Sequence, residues 1–391
     1  MKKTLLATAI AGAAFASAGA QAATIYNEDG TKLDLYGNIQ LAYKDIETRQ
    51  ADGSVESNDE LFDNGSTVGF AGEHLITRDL QGYFKAEFEH EADEAKGPGN
   101  GLTDGDQAYL GLKGNFGDLR VGSWDSLIDD WIQDPITNNE YFDVTDSSSR
   151  IVGKNDLSNR EGDKVTFTSP SFSGFRFAVG TQFDGDAEEL GNATVELSDT
   201  NAGNARQADI RAKDSSSASF FGGAEYTAGA FSIAAVYDDL NNYDGNYTST
   251  DVNGNAVAGD FDLGKQYGIT AQYTVDTLRM ALKLERFESD NDFLADTNYY
   301  GLGARYGYGM GDIYGAYQYV DVGGDSFSDT LKDAATHGDW PSERDDESYN
   351  EIVLGATYNI SDAMYTFVEG AMYDRNDDED DGVAVGAVYL F

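Results

Sequence analysis

Apolar and polar side chains alternate with a period of two through segments of about ten residues that recur along the chain, the pattern of strands with one polar and one apolar face. In the first of them, Lys32 to Lys44, one face takes Leu33, Leu35, Gly37, Ile39, Leu41 and Tyr43. The other takes Lys32, Asp34, Tyr36, Asn38, Gln40, Ala42 and Lys44. A later segment sets Phe84, Ala86 and Phe88 against Gln81, Tyr83, Lys85, Glu87 and Glu89. Such strands suit a soluble sandwich or the wall of a water-filled barrel. A face this charged over this length favours the barrel. In the last segment, Gly382 to Phe391, one face collects Val383, Val385, Ala387, Tyr389 and Phe391. A strand ending on an aromatic fits a barrel closed by its last strand against its first, whereas an ordinary edge strand would expose unpaired backbone groups.

The connections point the same way. Seven are short, around Thr77-Arg78-Asp79, Asn115-Phe116-Gly117, Phe172-Ser173-Gly174, Ala228-Gly229, Asp276, Gly309-Met310-Gly311 and Ser361-Asp362. Eight are long, polar and acidic, near 45–65, 90–105, 124–160, 184–217, 239–262, 289–297, 322–347 and 375–381. Short and long alternate, as tight turns at one membrane surface and long loops at the other would. The expectation is all-β: a 16-stranded antiparallel transmembrane β-barrel with long external loops and short periplasmic turns.

The first residues are set apart. Lys2 and Lys3 precede an alanine-rich apolar stretch, Thr4 to Ala18, and Ala20-Gln21-Ala22 has the A-x-A form of a cleavage site. Residues 1–22 therefore read as a cleaved Sec signal peptide and 23–391 as the barrel. No later apolar run is long enough for a membrane helix, a scan that barrel strands escape. The chain lacks cysteine, so an exported fold must rely on backbone pairing or a large core. Gly 45, Tyr 24, Phe 21 and Pro 4 suit short strands, tight turns and aromatic girdles with few broken ladders. The net charge of −44 becomes −46 without Lys2 and Lys3, and excludes nucleic acid as a partner.

Motifs at both ends and between carry a family resemblance. Ile25 to Gly37 (IYNEDGTKLDLYG), Val68-Gly69-Phe70, Gly111-Leu112-Lys113, Phe116-Gly117, Phe167 to Phe172 (FTSPSF), Gly174-Phe175 and the terminal Tyr389-Leu390-Phe391 resemble the general trimeric Gram-negative outer-membrane porins, in particular those of marine gamma-proteobacteria. The resemblance covers the whole mature chain and is weakest in the long loops. It implies a homotrimer in the lipid bilayer and lipopolysaccharide of the outer membrane. It also implies passive diffusion of small hydrophilic solutes and ions, no cofactor, and a third loop (124–160) folded inward to narrow each pore. Tyr389 and Phe391 resemble the signal read by the barrel-assembly machinery. Loop 90–105 would latch onto a neighbouring subunit.

The resemblance also assigns the constriction. Loop 124–160 carries Asp125, Asp129, Asp130, Asp134, Glu140, Asp143 and Asp146 against Arg150, Lys154 and Arg160. In resembling porins such acids face basic side chains on the opposite wall. Here the family's wall bases fall on Asn38, Thr67 and Asp106, and only Arg160 is kept. Asp129, Asp130 and Asp134 are the foremost pore-facing acids, with Asp125, Glu140, Asp106 and Arg160 completing the set. Two unit charges about 5 Å apart in water interact by roughly 0.8 kcal/mol, more between low-dielectric walls. Several uncompensated carboxylates should favour cations by about tenfold.

Rival readings have less to stand on. Asp374 to Asp381 contains Asp377, Asp378 and Asp380, weak candidates for loosely bound divalent ions, but completes no EF-hand spacing. The three histidines, His74, His90 and His337, have no nucleophile motif nearby, and no phosphate-binding or zinc motif occurs, so no enzyme is expected. A substrate-specific porin, surface adhesin or phage receptor on the same barrel is the alternative. Trp124 and Trp131 could begin a sugar-guiding aromatic row, or pack their loop against the wall.

Overall fold

The computed structural model describes residues 22–50, 54–94, 102, 105–132, 140–142, 144, 162–183, 193–197, 206–212, 218–250, 256–290, 296–322, 348–374 and 380–391. Its strands are β1 (Ala23–Glu28), β2 (Thr31–Arg49), β3 (Val55–Asp63), β4 (Thr67–Thr77), β5 (Leu80–Glu89), β6 (Gly105–Gly114), β7 (Gly117–Ser123), β8 (Lys164–Thr168), β9 (Phe175–Phe183), β10 (Ala193–Leu197) and β11 (Arg206–Ala212). They continue with β12 (Ala218–Ala228), β13 (Phe231–Asp239), β14 (Gly245–Thr250), β15 (Ala256–Phe261), β16 (Gly264–Val275), β17 (Leu278–Ser289), β18 (Thr297–Gly307), β19 (Asp312–Val322), β20 (Tyr349–Ser361), β21 (Met364–Tyr373) and β22 (Gly382–Leu390). A short helix, α1 (Leu127–Trp131), follows β7.

Eighteen strands form one antiparallel sheet that closes on itself. Along one edge of β2, β4 pairs with Thr31–Asn38 and β3 with Leu41–Arg49, so β3 and β4 share one place in the circuit. On the other edge β1 continues the line of β22. The circuit therefore has 16 positions, the expected number. Closure is made by β22 on β2, from Asn38↔Leu390 to Ile46↔Gly382. It ends in a reciprocal pair of 3.0 Å hydrogen bonds between the Gly37 and Phe391 backbones. Elsewhere round the circuit each strand pairs with the next in sequence, except that β9 pairs with β12 and β13 with β16 across the long connections, and each of the seven short connections falls where the sequence places it. Asp276 takes φ 53° in its tight turn, a left-handed conformation that Asp tolerates better than most residues.

Closure leaves no free edge and sorts side chains onto two faces. On β13, Ala234, Val236 and Asp238 are buried while Phe231, Ile233 and Tyr237 are exposed. On β22, Ala384 and Val388 are buried while Val383, Val385 and Tyr389 are exposed. Strand β6 resolves a choice the sequence leaves open: Tyr109 is 6% exposed and Leu110 63%. The exposed face is thus the apolar one, as a wall standing in lipid requires. On the enclosed face, large rings lie over glycines of the adjacent strand. A Cβ on Gly69 would meet the Tyr36 ring at 2.4 Å, so any larger residue there requires the ring to shift.

Three of the long connections contain more strand than expected. Residues 45–65 are largely a β2–β3 hairpin extension. The 184–217 and 239–262 connections supply β10, β11, β14 and β15, which form a separate four-stranded sheet. Arg206–Ala212 (RQADIRA) and Gly245–Thr250 (GNYTST) lack a strong apolar alternation. Their pairing with each other, across distant sequence, makes them strands.

Candidate functional site

The segment after β7 is acidic, short-helical and packed against the enclosed face. Ser126 caps α1, its side-chain oxygen accepting from the Asp129 N–H at 3.3 Å. Asp129 and Asp130 sit in the first turn, where the helix dipole favours acids. Leu127, Ile128 and Ile132 cluster with Ala178 of β9, Phe221 of β12, and Ala234 and Val236 of β13. Further along, Phe142 and Val144 join Ala316, Val353, Phe367, Ala371, Tyr373 and Val388. Trp124 stands edge-on to Tyr109 at 5.8 Å, and Trp131 lies under the Arg176 guanidinium at 5.4 Å. Both tryptophans pack their loop against the wall.

A single side chain on β21 secures residues 140–142. The Glu369 carboxylate accepts N–H bonds from Glu140 (2.8 Å), Tyr141 (2.8 Å) and Phe142 (3.0 Å). It also accepts the Tyr314 hydroxyl at 2.5 Å. Glu369 is 1% exposed, so these donors replace the water it has lost. The Tyr365 hydroxyl donates to the Glu140 carboxylate at 3.0 Å, and the Asn64 amide donates to the Glu140 carbonyl at 2.7 Å.

Burial shifts the acids of this loop. It raises the Asp125 carboxyl, with Asp129 nearby adding to the effect. Asp130 keeps an exposed side chain within the barrel; its enclosed surroundings, then Asp125, raise its carboxyl against Arg120. Burial also pushes Glu140 up to about 7; the Tyr365 hydroxyl opposes this and the Glu369 charge adds to it.

The wall beside the loop is not stripped of cations. Asn38 and Thr67, where the resemblance places two lost bases, hydrogen-bond each other at 2.9 Å. Other strands supply the positive charge. Arg120 of β7 covers the Tyr109 ring at 4.4 Å and the Trp124 ring at 5.2 Å. Lys164 of β8 donates to the carbonyls of Trp124 and, at 3.0 Å, Asp125. Arg176 of β9 pairs with Glu225 of β12 at 2.7 Å, and Lys85 reaches Gln107, which reaches Asp125. The expectation of uncompensated acids is corrected here: bases are present, on other strands of the wall. Alternation puts Lys85 on the polar face, but nothing local in the sequence ties Arg120, Lys164 or Arg176 to the loop.

Of the expected site residues, the fold brings Asp125, Asp129, Asp130 and Glu140 onto the enclosed face. Asp134, Asp143, Asp146, Arg150, Lys154 and Arg160 lie outside the described residues. Asp106 is in β6, where the pairing with β5 shifts register between Ala86 and Phe88. Asp377 and Asp378 also lie outside. The Asp380 N–H donates to the Glu47 carbonyl, and no metal-holding cluster occurs among the described residues. Tyr389 faces outward and Phe391 makes the closing pair.

The family profile described as Gram-negative porin matches residues 6–379. This chain belongs to the Gram-negative porin family. It is 55% identical, over an alignment of 399 positions that covers all of both chains, to a monosaccharide porin of Halomonas sp and equally to a major outer membrane protein of Halomonas elongata. Three solved structures share the fold. OmpF of Salmonella typhi matches with a TM-score of 0.62 and 20% identity, covering 94% of this chain and all of that one. The trimer form of OmpT from Vibrio cholerae gives 0.60 and 16%, covering 93% and 100%. An anion-selective porin from Comamonas acidovorans gives 0.58 and 18%, covering 92% and 100%. The porin is an outer-membrane protein and a channel, not an enzyme.

Proposed function

We propose that this porin carries ions and small hydrophilic solutes of monosaccharide size by passive diffusion, with a preference for cations. In this reading the loop 124–160 is the constriction, with residues 140–142 anchored by Glu369 and residues 127–132 by the α1 cluster. The observation that carries it is the gathering of Asp125, Asp129, Asp130 and Glu140 on the enclosed face of a barrel whose chain has a net charge of −44. Acidic rings at a narrow point are a usual source of cation preference. Arg120, Lys164 and Arg176 oppose that charge, so the preference should be a few-fold rather than tenfold. The relative's name as a monosaccharide porin supports the solute size. An anion-selective porin of the same fold fits a charge preference set by side chains rather than by the barrel.

Three further assignments belong to this reading: residues 1–22 as a cleaved leader, Phe391 as the assembly signal, and a homotrimer. The fold shared with a trimer form of another porin supports the last. Reversal potential across a planar bilayer in a salt gradient tests the preference. A potential of the cation sign is expected, and the anion sign would overturn it. Removal of 90–105 should lower the temperature at which the oligomer dissociates on a gel, and an unchanged temperature would count against the latch.

A further inference from the structure

A recess of about 310 Å³ is set into the wall formed by β2, β4, β5, β6 and β7, with Ala22, ahead of β1, also on its lining and lost with the leader in the proposed mature chain. Small-ligand sites span about 300–1,000 Å³, so it suits a very small solute. Its charge is unlike that of the rest of the chain. Asp34, Glu73 and Asp118 are matched by Lys85, Lys113 and Arg120, in a protein with 70 acids and 26 bases. These groups are already held in place, some by partners beyond the recess: Lys32 pairs with Asp34, and Glu87 with Lys85 at 3.4 Å. Lys113 pairs with Glu73 at 2.7 Å and lies over the Tyr83 ring at 5.2 Å. The Tyr83 hydroxyl donates to Asp118 at 2.5 Å. Tyr36, Tyr83 and Tyr109 supply flat apolar surface between the charges.

We propose that this recess is a subsite for a neutral monosaccharide in its ring form, an inference that rests on the diffusion reading above. A sugar hydroxyl both donates and accepts, so alternating carboxylates and cations serve it equally. Each carboxylate keeps lone pairs beyond its present bond, and hydrogen bonds to charged groups are the stronger kind. Tyrosine rings offer an apolar body for the carbon face of the sugar. An ion gains no net attraction from a balanced site. A zwitterion would have to break pairs such as Lys113–Glu73 and leave charges without partners, which is costly. A sugar adds bonds without breaking any. The groups are held before the solute arrives, which lowers the ordering cost of binding.

The test is the conductance of porin purified from outer membranes, followed as D-glucose is raised and corrected for bulk conductivity, with glycine as the zwitterionic comparison. Glucose should reduce conductance saturably and glycine should not. Tyr83→Ala and Asp118→Asn should raise the half-saturating glucose concentration about fivefold or more, the loss of one or two charge-assisted bonds. Tyr83→Phe, which keeps the ring and the fold, should raise it less. A glucose effect that is linear, or saturation equal in all variants, overturns the subsite while leaving the pore standing. Saturation by glycine in place of glucose overturns it too. A membrane that stays silent overturns the diffusion reading beneath it.

Discussion

Glu369 shows how much one buried carboxylate can organise. It receives three backbone N–H groups from more than 220 residues away in sequence and the Tyr314 hydroxyl from 55 residues away. Glu369→Ala would strip those donors of their acceptor, at about 1–3 kcal/mol for each one left buried. The loop should then come away from β21. Single-channel records of the variant should show more open-state noise and closure at lower voltage; records matching the unmodified porin would refute the anchoring role. Titration belongs to the same scale. Glu140 is held up to about 7 and Asp130 is raised in the same direction, against unfolded carboxyls at about 4. Their protonated forms favour the docked loop, so that contribution is complete below about pH 4 and is lost as pH rises through about 7. Over the same range the pore gains negative charge. Cation preference should therefore rise from pH 5 to pH 8, and Glu140→Gln with Asp130→Asn should flatten the profile, as reversal potentials at stepped pH would register. The acids themselves were legible, because several fall in one long connection. Glu369 was not: in an alternating strand it is one polar-face residue among many, and only the closed barrel shows which loop passes it.

At the scale of the strand, alternation was the most informative signal. It assigned the faces of β2, β5 and β22 before any pairing was known, because a period of two admits only two placements. The turns were legible for a related reason: Gly, Asp and Asn mark the few conformations that reverse a chain. The sheet of β10, β11, β14 and β15 was not legible, since β11 and β14 carry no clear apolar alternation, β10 alternates over only five residues, and the strands owe their form to one another. Ring-over-glycine contacts were hidden too, as they join residues such as Tyr36 and Gly69 on neighbouring strands. Gly69→Val would drive a side chain into that ring, an overpacking cost of about 1–3 kcal/mol. The variant should lose its folded, fast-migrating gel form at a lower temperature than the parent. Equal temperatures would show that the Tyr36 ring can move aside freely.

At the scale of the molecule, one arrangement accounts for composition, charge and sequence pattern together. Closing the sheet satisfies the backbone without an edge, turns the apolar face to lipid and leaves the polar face inside. The acid excess then has somewhere to be solvated: the long connections outside the membrane and the water of the pore. The whole account depends on that enclosed face lining a water-filled passage. Stepwise conductance in planar lipid bilayers tests it most directly. Added porin should give discrete ohmic steps that scale with the conductivity of the bathing salt, each closing in three sublevels under voltage. Bilayers that remain electrically silent with folded porin incorporated would contradict it.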